Sequence, residues 1–178
     1  TNFSISTSSV KKGETLQDTA QTLIQMGADA VVIRHQHSGI PFQLSEHLPP
    51  HIALINAGDG TNEHPSQALL DLYTIQREIG HLDNISIAMV GDLKNGRTVR
   101  SLCYLLGKFK DVEVHFVAPE SLQMREDILE YLKEHGVKFE LHTDIKEVAG
   151  SVDVFYMTRA QKERMKEGEE FSPDGYRI

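Results

Sequence analysis

A histidine and a glutamine frame the start of a predicted helix, and their types suggest chemistry. His64 directly precedes Pro65, and Gln67 follows in the same turn. Proline suits the first helical position, because its missing N–H would have no helical partner there. The N–H groups and partial positive charge at a helix N-terminus favour anions and developing oxyanions. His64 and Gln67 therefore either face such a group or only cap the helix.

Arginines follow three predicted strands. Arg34 ends the first buried strand, Arg97 precedes Thr98 at the start of a helix, and Arg159 follows the last strand shortly before Gln161. Ligands of open α/β sheets bind at the carboxyl ends of strands. A guanidinium matches a carboxylate with two parallel hydrogen bonds. Arg97 and Arg159 either hold the two carboxylates of a dicarboxylic acid or are solvated surface arginines.

The remaining candidates carry weaker signals. Ser8 and Lys12 lie in a polar loop, where lysine either reaches an anion as a point charge or is simply solvated. His35 and His37 lack an accompanying cysteine or carboxylate cluster, so no metal site is predicted there. Cys103 stands among leucines and is predicted to be a core residue. No cofactor is expected.

The elements that must position these residues alternate between helix and strand, which predicts parallel sheets covered by helices. A helix over 65–79 is predicted to connect two lobes, with a domain boundary near 79–84. Leu69, Leu72, Tyr73 and Gln76 are predicted to share one face of it, and Leu70 widens the apolar stripe. The predicted helices are 14–26, 41–46, 65–79, 98–109, 122–135 and 145–149, and the predicted strands are 30–33, 52–56, 85–90, 112–117, 137–142 and 152–157.

Composition limits the class of protein. The 178 residues carry a net charge of -8 without a basic run, which argues against nucleic acid or anionic membrane as a partner. No stretch approaches the roughly 18 apolar residues of a membrane-spanning helix. The single cysteine suits a reducing compartment, and the first residues do not resemble a signal peptide. The expected location is the cytoplasm.

Five stretches in this order resemble the aspartate carbamoyltransferase family, and together they cover nearly the whole chain. HPSQALLD alone is shared in outline with ornithine carbamoyltransferases, whereas the segments KKGET, GDLKNGRT and YMTRAQKER resemble the aspartate enzymes specifically. The matching stretches are SSVKKGET, VVIRH, NAGDGTNEHPSQALLDLYTI, VGDLKNGRTVRSL and DVFYMTRAQKER.

The resemblance implies an enzyme that transfers the carbamoyl group of carbamoyl phosphate to the amino group of L-aspartate, in de novo pyrimidine biosynthesis. It implies an α/β fold of two parallel-sheet lobes, with part of a carbamoyl phosphate-binding domain at 1–79 and part of an aspartate-binding domain at 80–178. It also implies a homotrimer whose active sites are shared between subunits, and it leaves room for regulatory chains.

The resemblance also implies roles for individual residues. Arg34 and His64 would donate hydrogen bonds to the carbonyl oxygen as the catalytic pair, while Gln67 would hold the carbamoyl nitrogen. Ser8 and Lys12 would enter the site of a neighbouring subunit and contact carbamoyl phosphate. The implied aspartate-binding set is Lys12, Arg97, Thr98, Arg159 and Gln161.

The chain differs from the family pattern at both ends. The Ser-Thr-Arg-Thr-Arg phosphate motif would precede Thr1, and a His-Pro-Leu-Pro segment would follow Ile178. We therefore expect part of a longer protein, in which either both lobes are incomplete or only the second is complete, and the resemblance does not extend to activity of this chain alone. Three alternatives stay open: an ornithine-type carbamoyltransferase, a non-catalytic assembly domain, and a nucleotide-binding Rossmann protein, the last disfavoured because G-x-G-x-x-G is missing.

Overall fold

The computed structural model describes residues 14–159 and is an α/β structure with two parallel sheets, as predicted. The chain divides into two compact units, one ending at Asn62 and the other beginning at Glu63. By its contacts, the helix predicted to connect the lobes belongs to the second unit. The domain boundary near 79–84 stays a prediction about the whole protein. None of the helices within 14–159 has the length and apolar character that crossing a bilayer requires.

The first unit is a two-stranded parallel sheet with two helices. Its elements are α1 (Leu16–Gln25), β1 (Ala30–His35), α2 (Ile40–Ser45) and β2 (Ala53–Asp59). Ala20, Ile33 and Leu44 form a small buried core. Val32 and Ile55 remain 65% and 49% exposed, although parallel strands are usually covered on both faces. Within residues 14–62, one face of this sheet is therefore exposed.

The second unit is a four-stranded parallel sheet in the order β5-β4-β3-β6. The chain moves outward from β3 through β4 to β5 and then returns to the other side of β3 as β6. The direction of winding therefore reverses between β3 and β6, which makes this pair of strands the switch point of the sheet. The elements are α3 (Pro65–Ile79), β3 (Ser86–Val90), α4 (Arg97–Leu106), β4 (Glu113–Val117), α5 (Glu126–Glu134), β5 (Lys138–His142) and β6 (Val154–Met157), with 3-10 turns at Glu120–Leu122 and Ile145–Glu147.

Alternate residues of the central strands supply two buried clusters. The larger cluster contains residues such as Met89 and Phe116 and packs with α3, α4 and α5. The smaller cluster contains Val90 and Val117 and packs with the segment around Ile145. Because successive side chains of a strand point to opposite faces, both faces of this sheet are covered.

The buried face of α3 differs from the prediction. Leu72 is buried, but Leu69 and Tyr73 are 60% and 61% exposed. The face that packs in the core instead contains Ala68, Leu72 and Ile75. The helix has apolar side chains on more than one face, and the apolar pattern alone did not identify the face that packs against α4.

Candidate functional site

His64 begins α3 and uses its imidazole as the cap. Its Nδ1 accepts a hydrogen bond from the Gln67 backbone N–H at 3.4 Å, while its own backbone N–H donates to Ser101 Oγ at 2.8 Å. Because Nδ1 acts as an acceptor, the neutral ring carries its proton on Nε2. His64 therefore caps α3 through Nδ1, and the proton on Nε2 lies on the opposite side of the ring. Its proposed chemical role stays a prediction.

The Gln67 side chain does not close a capping box but joins a network of hydrogen bonds. Its Nε2 donates to Asp71 Oδ1 at 2.9 Å, and Tyr156 Oη donates to Asp71 Oδ2 at 2.9 Å. Thr98 in turn hydrogen-bonds to the oxygen of Tyr156. This network connects α3, α4 and β6, and it brings the predicted residues Gln67 and Thr98 together.

Tyr156 remains a neutral donor in this network. Burial raises its pKa to about 12, against the opposing effect of the Thr98 hydrogen bond, and the negative charge of Asp71 adds to the rise. Neither Tyr156 nor Asp71 was predicted from the sequence as a site residue. The available signals were that Asp71 lies one turn after Gln67 and that Tyr156 stands three residues before Arg159.

The loop between β3 and α4 contains two glycines at positions where a Cβ atom would clash with the backbone. Gly91 has φ +120°, and a Cβ there would lie 2.5 Å from the carbonyl oxygen of Thr158 beyond β6. A Cβ on Gly96 would lie 2.7 Å from the Asp92 carbonyl oxygen. The buried Asp92 carboxylate accepts the Asn95 backbone N–H at 3.0 Å. These contacts fix the loop against the end of the neighbouring strand.

Arg97 and Arg159 follow the two strands that form the switch point. Arg97 is the first residue of α4 and is half-buried, whereas Arg159 is exposed two residues beyond β6. The strands pair so that Val90 lies opposite Met157. A guanidinium at a helix N-terminus adds to the positive end of the helix dipole, so this edge of the sheet is suited to an anion.

Arg34 lies in the first unit, where it is exposed on β1. It falls at an irregularity of the sheet, between the pairs Ile33–Asn56 and His35–Asp59. One residue of β1 therefore faces two of β2, and such bulges re-aim side chains. The predicted role of Arg34 stays a prediction.

Three predicted site residues, Ser8, Lys12 and Gln161, lie outside the described part of the chain. Their predicted roles stay predictions.

Family models match both parts of the chain. Residues 1–77 match the model described as aspartate/ornithine carbamoyltransferase, carbamoyl-P binding domain. Residues 83–178 match the model described as aspartate/ornithine carbamoyltransferase, Asp/Orn binding domain.

Several relatives with curated descriptions are plant enzymes. The chain is 55% identical over 160 residues to the chloroplastic aspartate carbamoyltransferase of Arabidopsis thaliana, covering 90% of this chain and 40% of the relative. It is 50% identical to the chloroplastic enzyme of Oryza sativa subsp. japonica, of which it covers 43%. The chain thus spans less than half the length of these relatives.

Solved structures share the fold. Aspartate transcarbamoylase from Trypanosoma cruzi, in complex with N-(phosphonacetyl)-L-aspartic acid, superposes with a TM-score of 0.81 at 43% identity, over 93% of this chain and 52% of that chain. The catalytic subunit of M. jannaschii aspartate transcarbamoylase gives a TM-score of 0.80 at 49% identity, over 90% and 52% of the two chains. With both parts of the sequence matched by the same pair of family models, the chain belongs to the aspartate/ornithine carbamoyltransferase family.

Proposed function

We propose that the protein is an aspartate carbamoyltransferase, which transfers the carbamoyl group of carbamoyl phosphate to L-aspartate and yields N-carbamoyl-L-aspartate and phosphate in de novo pyrimidine biosynthesis. The observation that carries the proposal is the position of Arg97 and Arg159 after two adjacent strands, on either side of the switch point. The names of the plant relatives support the choice of the aspartate reaction.

The two arginines favour a dicarboxylic acid as the acceptor. Each guanidinium can hold one carboxylate through two hydrogen bonds, and the N-terminus of α4 adds positive potential. An ornithine-type enzyme would have to accept a substrate with a cationic side chain, which two guanidinium groups would repel. The proposed aspartate-binding set is Lys12, Arg97, Thr98, Arg159 and Gln161.

Carbamoyl phosphate is assigned to the N-terminus of α3. The Nε2–H of His64 would donate to the carbonyl oxygen, and Gln67 would hold the carbamoyl nitrogen. Because Gln67 already donates to Asp71, its carboxamide is oriented before the substrate binds. The resemblance adds Arg34, Ser8 and Lys12 to this set.

The proposed reaction needs positioning and charge stabilisation. The uncharged α-amine of aspartate attacks the carbonyl carbon, which gives a tetrahedral intermediate with a negative oxygen. The bond from carbon to the bridging oxygen then breaks, phosphate leaves with the electron pair, and the new nitrogen loses a proton. Arg34 and His64 would donate to the negative oxygen when its charge develops.

We expect the whole protein to assemble as a homotrimer with shared active sites, through the loop that carries Ser8 and Lys12. Regulatory chains are further candidate partners. Sedimentation of the purified whole protein would measure the oligomeric state. A monomer that remains fully active would contradict active sites shared between subunits.

The proposed location is a reducing compartment, because the single cysteine has no internal partner. The composition favours the cytoplasm, whereas the plant relatives are chloroplastic. Both compartments are reducing, and fractionation of the source cells with a plastid marker distinguishes them.

The decisive experiment is calorimetric titration of the whole protein with N-(phosphonacetyl)-L-aspartic acid, which carries a phosphonate and two carboxylates. We expect binding that Arg159→Ala weakens strongly and Arg125→Ala, an exposed arginine of the same unit, leaves unchanged. Transfer to ornithine instead of aspartate would identify the ornithine-type enzyme. A folded protein that binds neither substrate would indicate the non-catalytic assembly domain.

A further inference from the structure

A cluster of two histidines and a glutamate lies on strands β4 and β5, in the second unit. The strand register places His115 opposite Glu140 and Val117 opposite His142. Residues two apart in a strand point to the same face, so Glu140 and His142 share the face on which His115 lies. None of these residues belongs to the network around Asp71 and Tyr156 or to the arginine pair.

Three potential ligand atoms of this cluster converge. His115 Nδ1 lies 3.1 Å from His142 Nε2 and 3.8 Å from Glu140 Oε2, and His142 Nε2 lies 3.4 Å from the same oxygen. A tetrahedral zinc ion with ligands at about 2.0–2.2 Å separates neighbouring ligand atoms by roughly 3.3–3.6 Å. The three distances therefore nearly match one face of a zinc coordination tetrahedron.

The nitrogen of His142 that faces away from the cluster has a carboxylate partner. Nδ1 lies 3.1 Å from Glu147 Oε2. An ionised carboxylate can only accept, so His142 carries its proton on Nδ1 and directs the Nε2 lone pair toward His115. This is the carboxylate–histidine arrangement that orients metal-binding imidazoles.

Burial and charge also suit a cation. His115 is 7% exposed, while the Glu140 side chain is 61% exposed and leaves an entry from solvent. Glu113 lies 4.0 Å from His115 Nε2, so it joins Glu140 and Glu147 among the acidic groups around the imidazoles. These carboxylates would balance the charge of a dication bound here.

We propose that His115, Glu140 and His142 bind a divalent transition metal of the zinc class, with Glu147 as the outer partner of His142. Two imidazoles and one carboxylate suit Zn²⁺, whereas Mg²⁺ and Ca²⁺ prefer sites made of oxygen ligands. The bound ion joins the edge strand β5 to β4, and its remaining position takes water.

The test uses whole protein purified without a polyhistidine tag and treated with a chelator. Zn²⁺ is titrated by calorimetry and by thermal unfolding, with Mg²⁺ in parallel. We expect one Zn²⁺ bound per chain and a rise in Tm with Zn²⁺ but not with Mg²⁺. A Tm that does not change at millimolar Zn²⁺ would overturn the proposal and leave the histidines as a hydrogen-bonded pair.

Variants assign the site to these residues. His142→Asn is expected to abolish the Tm rise, and Glu147→Gln to weaken Zn²⁺ binding about 10–100-fold. His81→Gln, at an exposed histidine of the same unit, is the matched control and should bind as the wild type does. If His142→Asn does not fold, Glu140→Gln replaces it, because this exposed side chain can change without disturbing the core. Wild-type affinity in His142→Asn or in Glu140→Gln would place the ion elsewhere.

Discussion

At the scale of single residues, His64 combines a structural and a proposed chemical task in one ring. Histidine is not among the preferred N-cap residues, which are Ser, Thr, Asp and Asn. Here Nδ1 caps α3, and the opposite nitrogen keeps its proton. The two tasks use different atoms, so substitutions can separate them.

We expect His64→Asn to retain the cap but to lose the donor. Asparagine is a favoured N-cap residue, but it has no N–H at the place of Nε2. Turnover of the whole enzyme with both substrates saturating should fall about 10²–10³-fold, whereas the urea midpoint should stay near that of the wild type. His64→Ala is the comparison, since it should also lose about 1 kcal/mol of stability with the cap. Normal turnover in His64→Asn would remove this residue from the chemistry.

Tyr156 should make stability depend on pH in the alkaline range. Its pKa is raised to about 12 in the folded chain, against roughly 10 for an unfolded tyrosine. Between these values the unfolded chain loses the proton first, so the free energy of unfolding falls as the pH rises. Tyr156→Phe should show a flatter decline in urea unfolding over this window. It should also be less stable at neutral pH by about 1–3 kcal/mol, because Asp71 loses a donor.

The control for this comparison is Tyr73→Phe, since the Tyr73 side chain is exposed on the same unit. This variant should follow the wild-type curve. If the free energy of unfolding falls equally with pH in Tyr156→Phe and in the wild type, ionisation of the Tyr156 phenol does not cause the loss of stability at alkaline pH.

At the scale of elements, a glycine determines the position of the loop between β3 and α4, which leads to Arg97. Gly91 has a positive φ and packs against the Thr158 carbonyl, so the end of β3 and the end of β6 approach more closely than side chains would allow. The distance between these two strand ends therefore determines the backbone positions of Arg97 and Arg159. A change at Gly91 should therefore disturb both arginines.

We expect Gly91→Ala to destabilise the protein more than Gly136→Ala. Both glycines have positive φ, which costs about 1–2 kcal/mol for a residue with a Cβ. Only at Gly91 would the new Cβ meet backbone, because nothing lies within 4 Å of a Cβ at Gly136. Urea unfolding gives the two stabilities, and binding of the bisubstrate analogue should weaken in Gly91→Ala alone. Equal losses of stability in the two variants would mean that the end of β6 can shift to accommodate the new Cβ at no cost in free energy.

At the scale of the whole molecule, the two units differ in the size of their cores. The described part of the second unit buries a large cluster that includes Cys103, as predicted for that residue, whereas the first buries three residues in its cluster. Burial raises the pKa of the Cys103 thiol well above its ordinary value, which makes the thiol inert in the folded state. Its reactivity therefore reports the opening of the second unit.

We expect a thiol reagent to label Cys103 only when the second unit unfolds. Leu132→Ala removes a fully buried side chain of that unit, should cost about 2–5 kcal/mol, and should speed labelling. Leu44→Ala, in the core of the first unit, should leave the labelling rate unchanged. Stopped-flow absorbance measures these rates. Equal acceleration by both variants would show that the units unfold together.

The sequence by itself determined the kinds of elements, many of their ends and the family. As predicted, α3 begins at Pro65 and ends before Gly80. The missing N–H of proline and the left-handed conformation of glycine determine these ends within the local chain. The start of another helix was predicted less well. The sequence predicts a helix over 122–135, but the structure has a 3-10 turn that ends at Leu122 and a helix α5 that begins only at Glu126. The roles of Arg34, Ser8 and Lys12 were inferred from the resemblance and remain predictions.

Only the tertiary structure decided which atoms meet. Asp71 and Tyr156 are 85 residues apart, and His115 and His142 are 27 apart, yet both pairs are in hydrogen-bond contact. The buried face of α3 also depended on the helix that packs against it. The physical reason is shared: local pattern controls backbone conformation, whereas side-chain partners distant in the chain depend on strand order and register.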